Sequence, residues 1–223
     1  KTRSSFNQFL LSKEITSIRF NLREAGFYFA EVDTLVETLD NNQINIIHNI
    51  TLGKKAKIKK ISFLGNKVFK DGKLKSLILS EEYKFWKFIS GKKFLQEELI
   101  KIDQRLLKNY YLNKGYYNVN INTSFAKIVD NDEFELIFNI NANAKTYFGK
   151  LDLSYPEDFE DEHFENLNNF LAELEGEPYS IFSVEKILDN IDNITLNEEY
   201  LSVNATFEEN LELDKLNIKF KID

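Results

Sequence analysis

The chain has 223 residues, 43% hydrophobic and 14% aromatic, enough for one large domain or two to three small ones. Cysteine is absent, which removes disulfides, thiol chemistry and cysteine-bound zinc, and the greasiest runs are as short as Leu77-Ile78-Leu79, too short to cross a membrane as a helix. The net charge of −7 divides unevenly: residues 1–54 carry 6 basic and 6 acidic groups, residues 55–145 carry 18 and 10, and residues 146–223 carry 5 and 20, which points to modules.

The chain opens Lys1-Thr2-Arg3 with neither an initiator methionine nor a signal peptide, so we read it as a piece of a longer protein. Phe6, Phe9 and Leu10 predict a short helix, and Ile15, Ile18 and Leu22 a second one, stopped by Ala25-Gly26-Phe27. Ala30, Val32 and Val36 then alternate on one strand and Ile44, Ile46 and Ile50 on the next, around Asp40-Asn41-Asn42. No strand precedes these helices.

From Lys57 to Gly65 a strand is predicted, with Ile61 and Phe63 on one face and Gly65-Asn66 as its stop. Asp71 is placed to cap a short helix carrying Leu74, Leu77 and Ile78. After an aromatic connector, Phe85-Trp86-Lys87-Phe88, Leu95, Leu99, Ile102, Leu106 and Tyr110 form one apolar stripe on a long helix. Asn113-Lys114-Gly115-Tyr116 ends it, because glycine accepts the left-handed conformation that follows a helix. A hairpin follows: Val119, Ile121 and Phe125 on one strand face, then Phe134, Leu136, Phe138 and Ile140, joined by Asp130-Asn131-Asp132. The hairpin face and the helix stripe are expected to bury against each other.

The pattern then returns. Leu151, Leu153 and Tyr155 make a strand ended by Pro156, and Phe164, Leu167, Leu171 and Leu174 stripe a helix. A second helix, capped by Ser180 or Ser183, turns Val184, Leu188 and Ile191 inward. Val203, Ala205 and Phe207 pair with Leu216, Ile218, Phe220 and Ile222 in the last hairpin. Aligning Phe27, Tyr116 and Tyr200 gives periods of 89 and 84 residues, so the chain is one strand–helix–helix–strand–strand unit repeated two and a half times. The expected divisions are 1–54 (first strand missing), 55–145 and 146–223, in an α+β fold whose three-stranded mixed sheets each carry two helices on one face. In the third unit Glu199 stands where the others have glycine.

Catalytic constellations are hard to find. His48 alternates with Ile46 and Ile50 and reads as structural; His163 sits in an acidic helix start, Glu160-Asp161-Glu162, with no metal-ligand spacing. Asp130-Asn131-Asp132-Glu133 lacks the glycine and distal glutamate of a calcium loop. No phosphate-cradling or nucleophile motif appears, so we expect no enzyme, metal or cofactor. The basic middle unit (Lys54, Lys55, Lys57, Lys59, Lys60, Lys92, Lys93) raises RNA binding as an alternative. It lacks a GxxG clamp and adjoins the most acidic unit, so lysines facing an acidic neighbour or partner are the preferred reading and no nucleic acid is expected.

Ile61-Ser-Phe-Leu-Gly-Asn66 followed by Phe69, the connector around Trp86, and Tyr110-Tyr-Leu-Asn-Lys-Gly-Tyr116 leading into a hairpin resemble POTRA domains. These are the polypeptide-transport-associated modules that precede the barrel of outer-membrane assembly proteins. By register the middle unit is similar to the third such domain, residues 1–54 to most of the second, and residues 146–223 to the fourth. The resemblance implies a non-catalytic scaffold in the periplasm, as the soluble part of an outer-membrane protein whose only membrane contact is a C-terminal barrel. The implied partners are unfolded outer-membrane β-barrel proteins and assembly-machinery lipoproteins. A related secretion or translocation barrel with one dedicated substrate is the nearest alternative.

The resemblance also places the first hairpin strand of the middle unit at a sheet edge. Edge strands present N–H and C=O groups to which an extended peptide can add. The candidate edge is Asn118, Val119, Asn120, Ile121, Asn122, Thr123 and Ser124, with the asparagines and Ser124 outward; the bland alternative is a solvated edge with no partner. Phe85, Trp86 and Phe88 either fold onto the core or form a patch for a partner or neighbouring module. Gly26, Gly65, Asn66, Gly115 and Tyr116 are expected to be structural.

Overall fold

A computed structural model of the chain describes residues 6–40, 43–86, 90–128, 132–198, 200 and 204–223. The element order is α1 (Gln8–Glu24), β1 (Glu31–Leu39), β2 (Gln43–Thr51), β3 (Lys57–Asn66), α2 (Asp71–Lys75), α3 (Glu97–Leu112), β4 (Asn120–Ile128), β5 (Glu133–Asn141), β6 (Tyr147–Ser154), α4 (Asp161–Leu174), α5 (Ile181–Asn197), β7 (Ala205–Glu212) and β8 (Lys215–Ile222). They form an antiparallel pair β1-β2 and two three-stranded sheets, ordered β3-β5-β4 and β6-β8-β7. In the last sheet β6 runs parallel to β8 and β7 antiparallel to it, the mixed pattern expected from two helices crossing over before a hairpin.

The molecule divides into two compact units whose boundary runs through the middle repeat. One comprises residues 1–64, 69–106 and 122–139, the other residues 65–68, 107–121 and 140–223. In the first, Ala56, Ile58, Ile61, Phe63, Leu74 and Leu95 are buried with Leu136 and Phe138, and Phe63 stacks on Phe138 at 5.5 Å. In the second, Phe148, Phe164, Leu167, Leu171, Val184, Ile187, Ile191, Leu216, Ile218 and Phe220 form the core.

Several expectations are corrected. The two short helices of the opening segment are one helix, α1, because Asn7 caps it by accepting the Phe9 N–H at 2.8 Å and nothing interrupts it before Gly26. Asp71 is the first residue of α2 rather than its cap, which is Lys70, and α2 stops at Lys75, leaving Leu77 and Ile78 beyond it. Leu95 precedes α3. The buried stripe of α3 is Ile100, Asp103, Leu107 and Tyr111, one residue round from the predicted one; Leu99, Ile102, Leu106 and Tyr110 are only half-buried. On α5 the inward residue is Ile187, not Leu188, and Ser180 is the cap. β6 ends at Ser154, ahead of Tyr155. Asn41, Asn42, Asp130, Asn131, Glu199 and Val203 lie outside the described residues.

Asp103 explains the shifted stripe. Its side chain is buried and accepts the backbone N–H of Leu79 at 2.6 Å and of Ser80 at 3.2 Å. Those donors exist because α2 is only five residues long: the chain beyond it leaves the helix and has no i−4 carbonyls for its N–H groups. Burial pushes the Asp103 carboxyl up, and the two N–H groups only partly offset this.

Candidate functional site

The two borders of each complete sheet are treated differently. Along the outer side of β6, Phe148 donates its N–H to the Glu177 carbonyl at 2.8 Å, and the Phe148 carbonyl accepts the Gly176 N–H at 2.9 Å. Leu151 donates its N–H to the Glu175 carboxylate at 2.9 Å, so the turn between α4 and α5 seals this border. On β3 the Ile58 carbonyl accepts the Tyr83 N–H at 2.6 Å, and Ile61 donates its N–H to the Glu82 carboxylate at 3.0 Å. Phe148 and Leu151 each lie 90 residues after Ile58 and Ile61, so the same two positions are sealed twice. Burial opposes ionisation of Glu82, but Lys75, 2.6 Å away, and the Ile61 N–H outweigh it and hold the carboxyl below its usual value.

The opposite borders are β4 and β7, each with a strand on one side only. Asn120, Asn122, Ser124 and Ala126 are exposed on β4, and every β7 residue from Thr206 to Glu212 is exposed. Among the described residues, no side chain accepts a β7 backbone N–H. Asn118 and Val119 of the predicted edge precede β4: Asn118 lies in a turn, where its carbonyl accepts from Asn143 Nδ2 at 2.6 Å, and Val119 is buried. Ile121 and Thr123 are half-buried, and the Ser124 hydroxyl accepts from Asn139 Nδ2.

A second recurring geometry joins consecutive repeats. Gly26 and Gly115, both at φ +90°, follow α1 and α3; Phe27 donates back to the Leu22 carbonyl and Tyr116 to Tyr111, the six-residue ring of a Schellman stop. Tyr200 donates to Thr195 in the same way. Each glycine carbonyl then accepts the N–H that opens the next repeat, Ala56 on Gly26 at 2.9 Å and Thr146 on Gly115 at 2.7 Å. A methyl group on Gly26 would lie 3.1 Å from Phe94 Cβ, and on Gly115 2.9 Å from Lys145 Cγ and 3.2 Å from the Thr146 oxygen. Gly65, the last residue but one of β3, has room for no side chain, since an added Cβ would sit 2.5 Å from the Ile140 oxygen.

The side chain two residues before each of these glycines reaches the N-terminus of the next repeat's second helix. Glu24 accepts the Glu98 N–H at 3.0 Å; Asn113 accepts the Phe182 N–H at 2.8 Å and the Ser180 hydroxyl at 3.0 Å. Around the first junction Arg23 pairs with Glu97 at 3.0 Å, and Arg23 with Lys101 holds that carboxyl below its usual value. The residue after the hairpin aromatic also meets the middle of the next edge strand: Tyr28 packs on Phe125, ring centres 5.0 Å apart, and the Tyr117 hydroxyl donates to Glu209 at 2.8 Å. Phe29 stacks on Phe134 at 4.7 Å, so the first repeat adds a ring to the cover of the middle hairpin. Burial first, then the Glu209 carboxylate, push the Tyr117 hydroxyl up to about 12.

The sequence of residues 56–143 matches POTRA, the family described as surface antigen variable number repeat. The outer membrane protein assembly factor BamA of Buchnera aphidicola is 24% identical over 201 residues, which is 90% of this chain and 29% of the relative. BamA of Nitratidesulfovibrio vulgaris is 27% identical over 154 residues, 68% of this chain and 19% of the relative. The chain therefore spans under a third of the length of these curated relatives. Among solved structures, BamA POTRA3-5 from Haemophilus influenzae covers 100% of this chain and 83% of that one, with a TM-score of 0.62 at 16% identity, a likeness of fold. The architecture is that of tandem POTRA-like β-α-α-β-β modules.

Other predicted residues fall as follows. Phe85 and Trp86 are exposed, 72% and 58%, against each other at 4.7 Å rather than folded onto the core; Phe88 lies outside the described residues. Asn66 ends β3. His48 pairs with Thr34 at 2.8 Å within its hairpin, and His163 meets the Tyr200 hydroxyl at 3.1 Å. Three of the seven lysines singled out above pair with carboxylates of the middle hairpin, Lys54 with Asp132, Lys59 with Glu133 and Lys60 with Glu135, while Lys55, Lys57 and Lys93 lie over aromatic rings. Sequence reasoning missed Glu24, Glu82, Asp103, Asn113 and Glu175. Matching the repeats position by position would have found two of them, since Glu24 and Asn113 stand 89 residues apart, as do Phe27 and Tyr116.

Proposed function

We propose that the chain is a periplasmic, non-catalytic scaffold of a BamA-like outer-membrane assembly protein, made of POTRA modules at 1–54, 55–145 and 146–223. It receives unfolded outer-membrane β-barrel proteins by strand addition to β4 and β7 and offers further surface to assembly-machinery lipoproteins. Backbone hydrogen bonding at an edge is tolerant of sequence, which suits a protein that must accept many different strands. The observation that carries the reading is the asymmetry of the sheets: one border is sealed by the chain's own connector, while the other, β4 or β7, has a strand on one side only and is largely exposed. The names of the curated relatives, outer membrane protein assembly factors, support the same reading.

The chain lacks cysteine, so a cysteine at Ser124 or Asn210 is the one thiol within it, and in the full-length protein cleared of any other cysteine it serves as the attachment point for a photo-crosslinker along these borders. The expected products join either position to barrel proteins caught while folding, and disappear when folding is complete. Labelling that ignores barrel clients and follows only lipoproteins, or none at all, would overturn strand addition.

A further inference from the structure

We propose that Glu82 and Glu175 are edge guards that decide which border of each sheet an incoming extended polypeptide can join, closing β3 and β6 and leaving β4 and β7. The proposal rests on the strand-addition reading above and names the residues that give it direction. A strand joins an edge by placing its carbonyls on outward N–H groups. At Ile61 and Leu151 that place is already held by a carboxylate, in a charge-assisted bond of 3.0 and 2.9 Å. An incoming carbonyl has to displace a negative group and then lie beside it, which disfavours the exchange twice.

Recurrence argues against accident. The two guards come from connectors of unlike structure, one following a five-residue helix and the other a fourteen-residue helix. Yet they land on N–H groups 90 residues apart, at the point where backbone pairing with the connector ends. Beyond Leu151 the strand runs on through Asp152, Leu153 and Ser154, all only half-buried, so a single side chain stands between a short seal and an open border. Among the described residues β7, exposed from Thr206 to Glu212, carries no guard.

The test uses the whole chain with a single benzophenone-labelled cysteine at Asp152, on the β6 border, or at Asn210, on the β7 border. The probe is a synthetic extended peptide alternating valine with threonine and lysine. With Glu175 present, capture at position 210 exceeds capture at 152 by about tenfold, the worth of one charge-assisted hydrogen bond. Glu175→Ala raises capture at 152 by about that factor, leaves 210 unchanged, and speeds amide exchange at Leu151. Glu175→Gln keeps an acceptor oxygen and retains most of the seal. Capture at 210 with none gained at 152 in a folded Glu175→Ala chain would overturn the guard while strand addition stands. No capture at either position in any variant would overturn strand addition and the guard with it.

Discussion

Helices α3 and α5 occupy the same place in successive repeats and bury the same stripe: Ile100, Asp103, Leu107 and Tyr111 on one, Val184, Ile187, Ile191 and Thr195 on the other, each pair 84 residues apart. Besides Tyr111 against Thr195, they differ in kind at one step, a buried carboxylate at Asp103 against a buried aliphatic at Ile187. The difference follows from what each helix packs beside. In the third repeat α4 runs fourteen residues and satisfies its own N–H groups, so a greasy residue suffices opposite it. In the middle repeat α2 runs five, and Asp103 supplies the acceptors its continuation lacks. A repeat can lose most of a helix and keep its register if one inward position turns polar.

Breaking the comparison at its apolar side has the largest expected effect. Ile187→Ala removes a fully buried aliphatic side chain and is expected to cost about 3 to 4 kcal/mol in denaturant unfolding. Asp103→Ala leaves the Leu79 and Ser80 donors without their acceptor, at about 2 to 3 kcal/mol, with amide exchange accelerating at those two residues. Asp103→Asn, which keeps one acceptor oxygen, costs less. Because burial raises the folded carboxyl above 3.8, its titration favours the folded state below that value, and this contribution is lost as the pH rises through the folded pKa. Wild type therefore gains on Asp103→Asn as the pH falls towards 4 in paired thermal melts.

The two junctions sharpen the contrast further. Gly115→Ala and Gly26→Ala force a side chain into the left-handed region against close neighbours, at about 2 kcal/mol each, and expose the Thr146 and Ala56 amides respectively to exchange. The first junction leans on charge and the second on a hydroxyl, so they fail at opposite ends of the pH scale. Glu97, held low, contributes stability above 4.5 that is lost as the pH falls through its folded value. Tyr117, pushed up to about 12, contributes below pH 10 and is lost between 10 and about 12. Tyr117→Phe, the smallest change at about 1 kcal/mol, should reduce the alkaline effect in melts, leaving the part due to Tyr179, Tyr28 and Tyr155, and keep the acid one intact.

The repeat and the glycine stops were legible because each depends on local pattern: alternation, a Gly-aromatic break, a period near 85 residues; the placing of β4 at a border came from the family resemblance alone. The helix faces were less so. Leu95, Leu99, Ile102, Leu106 and Tyr110 obey helical spacing as well as Ile100, Asp103, Leu107 and Tyr111 do, and a count of apolar residues prefers the first set because it contains no aspartate. Nothing local says that a five-residue helix will leave donors for Asp103 to satisfy. The guards were hidden for the same reason, since an exposed glutamate in a connector looks alike whether it faces water or a strand N–H.

The central claim, that β4 and β7 are the receiving borders, is met most directly by residue-resolved amide exchange of the chain with and without an unfolded outer-membrane barrel protein. Protection should rise at alternate N–H groups along β4 and β7 and stay constant along β3 and β6. Protection confined to the helices, or spread evenly over both borders of each sheet, would contradict it.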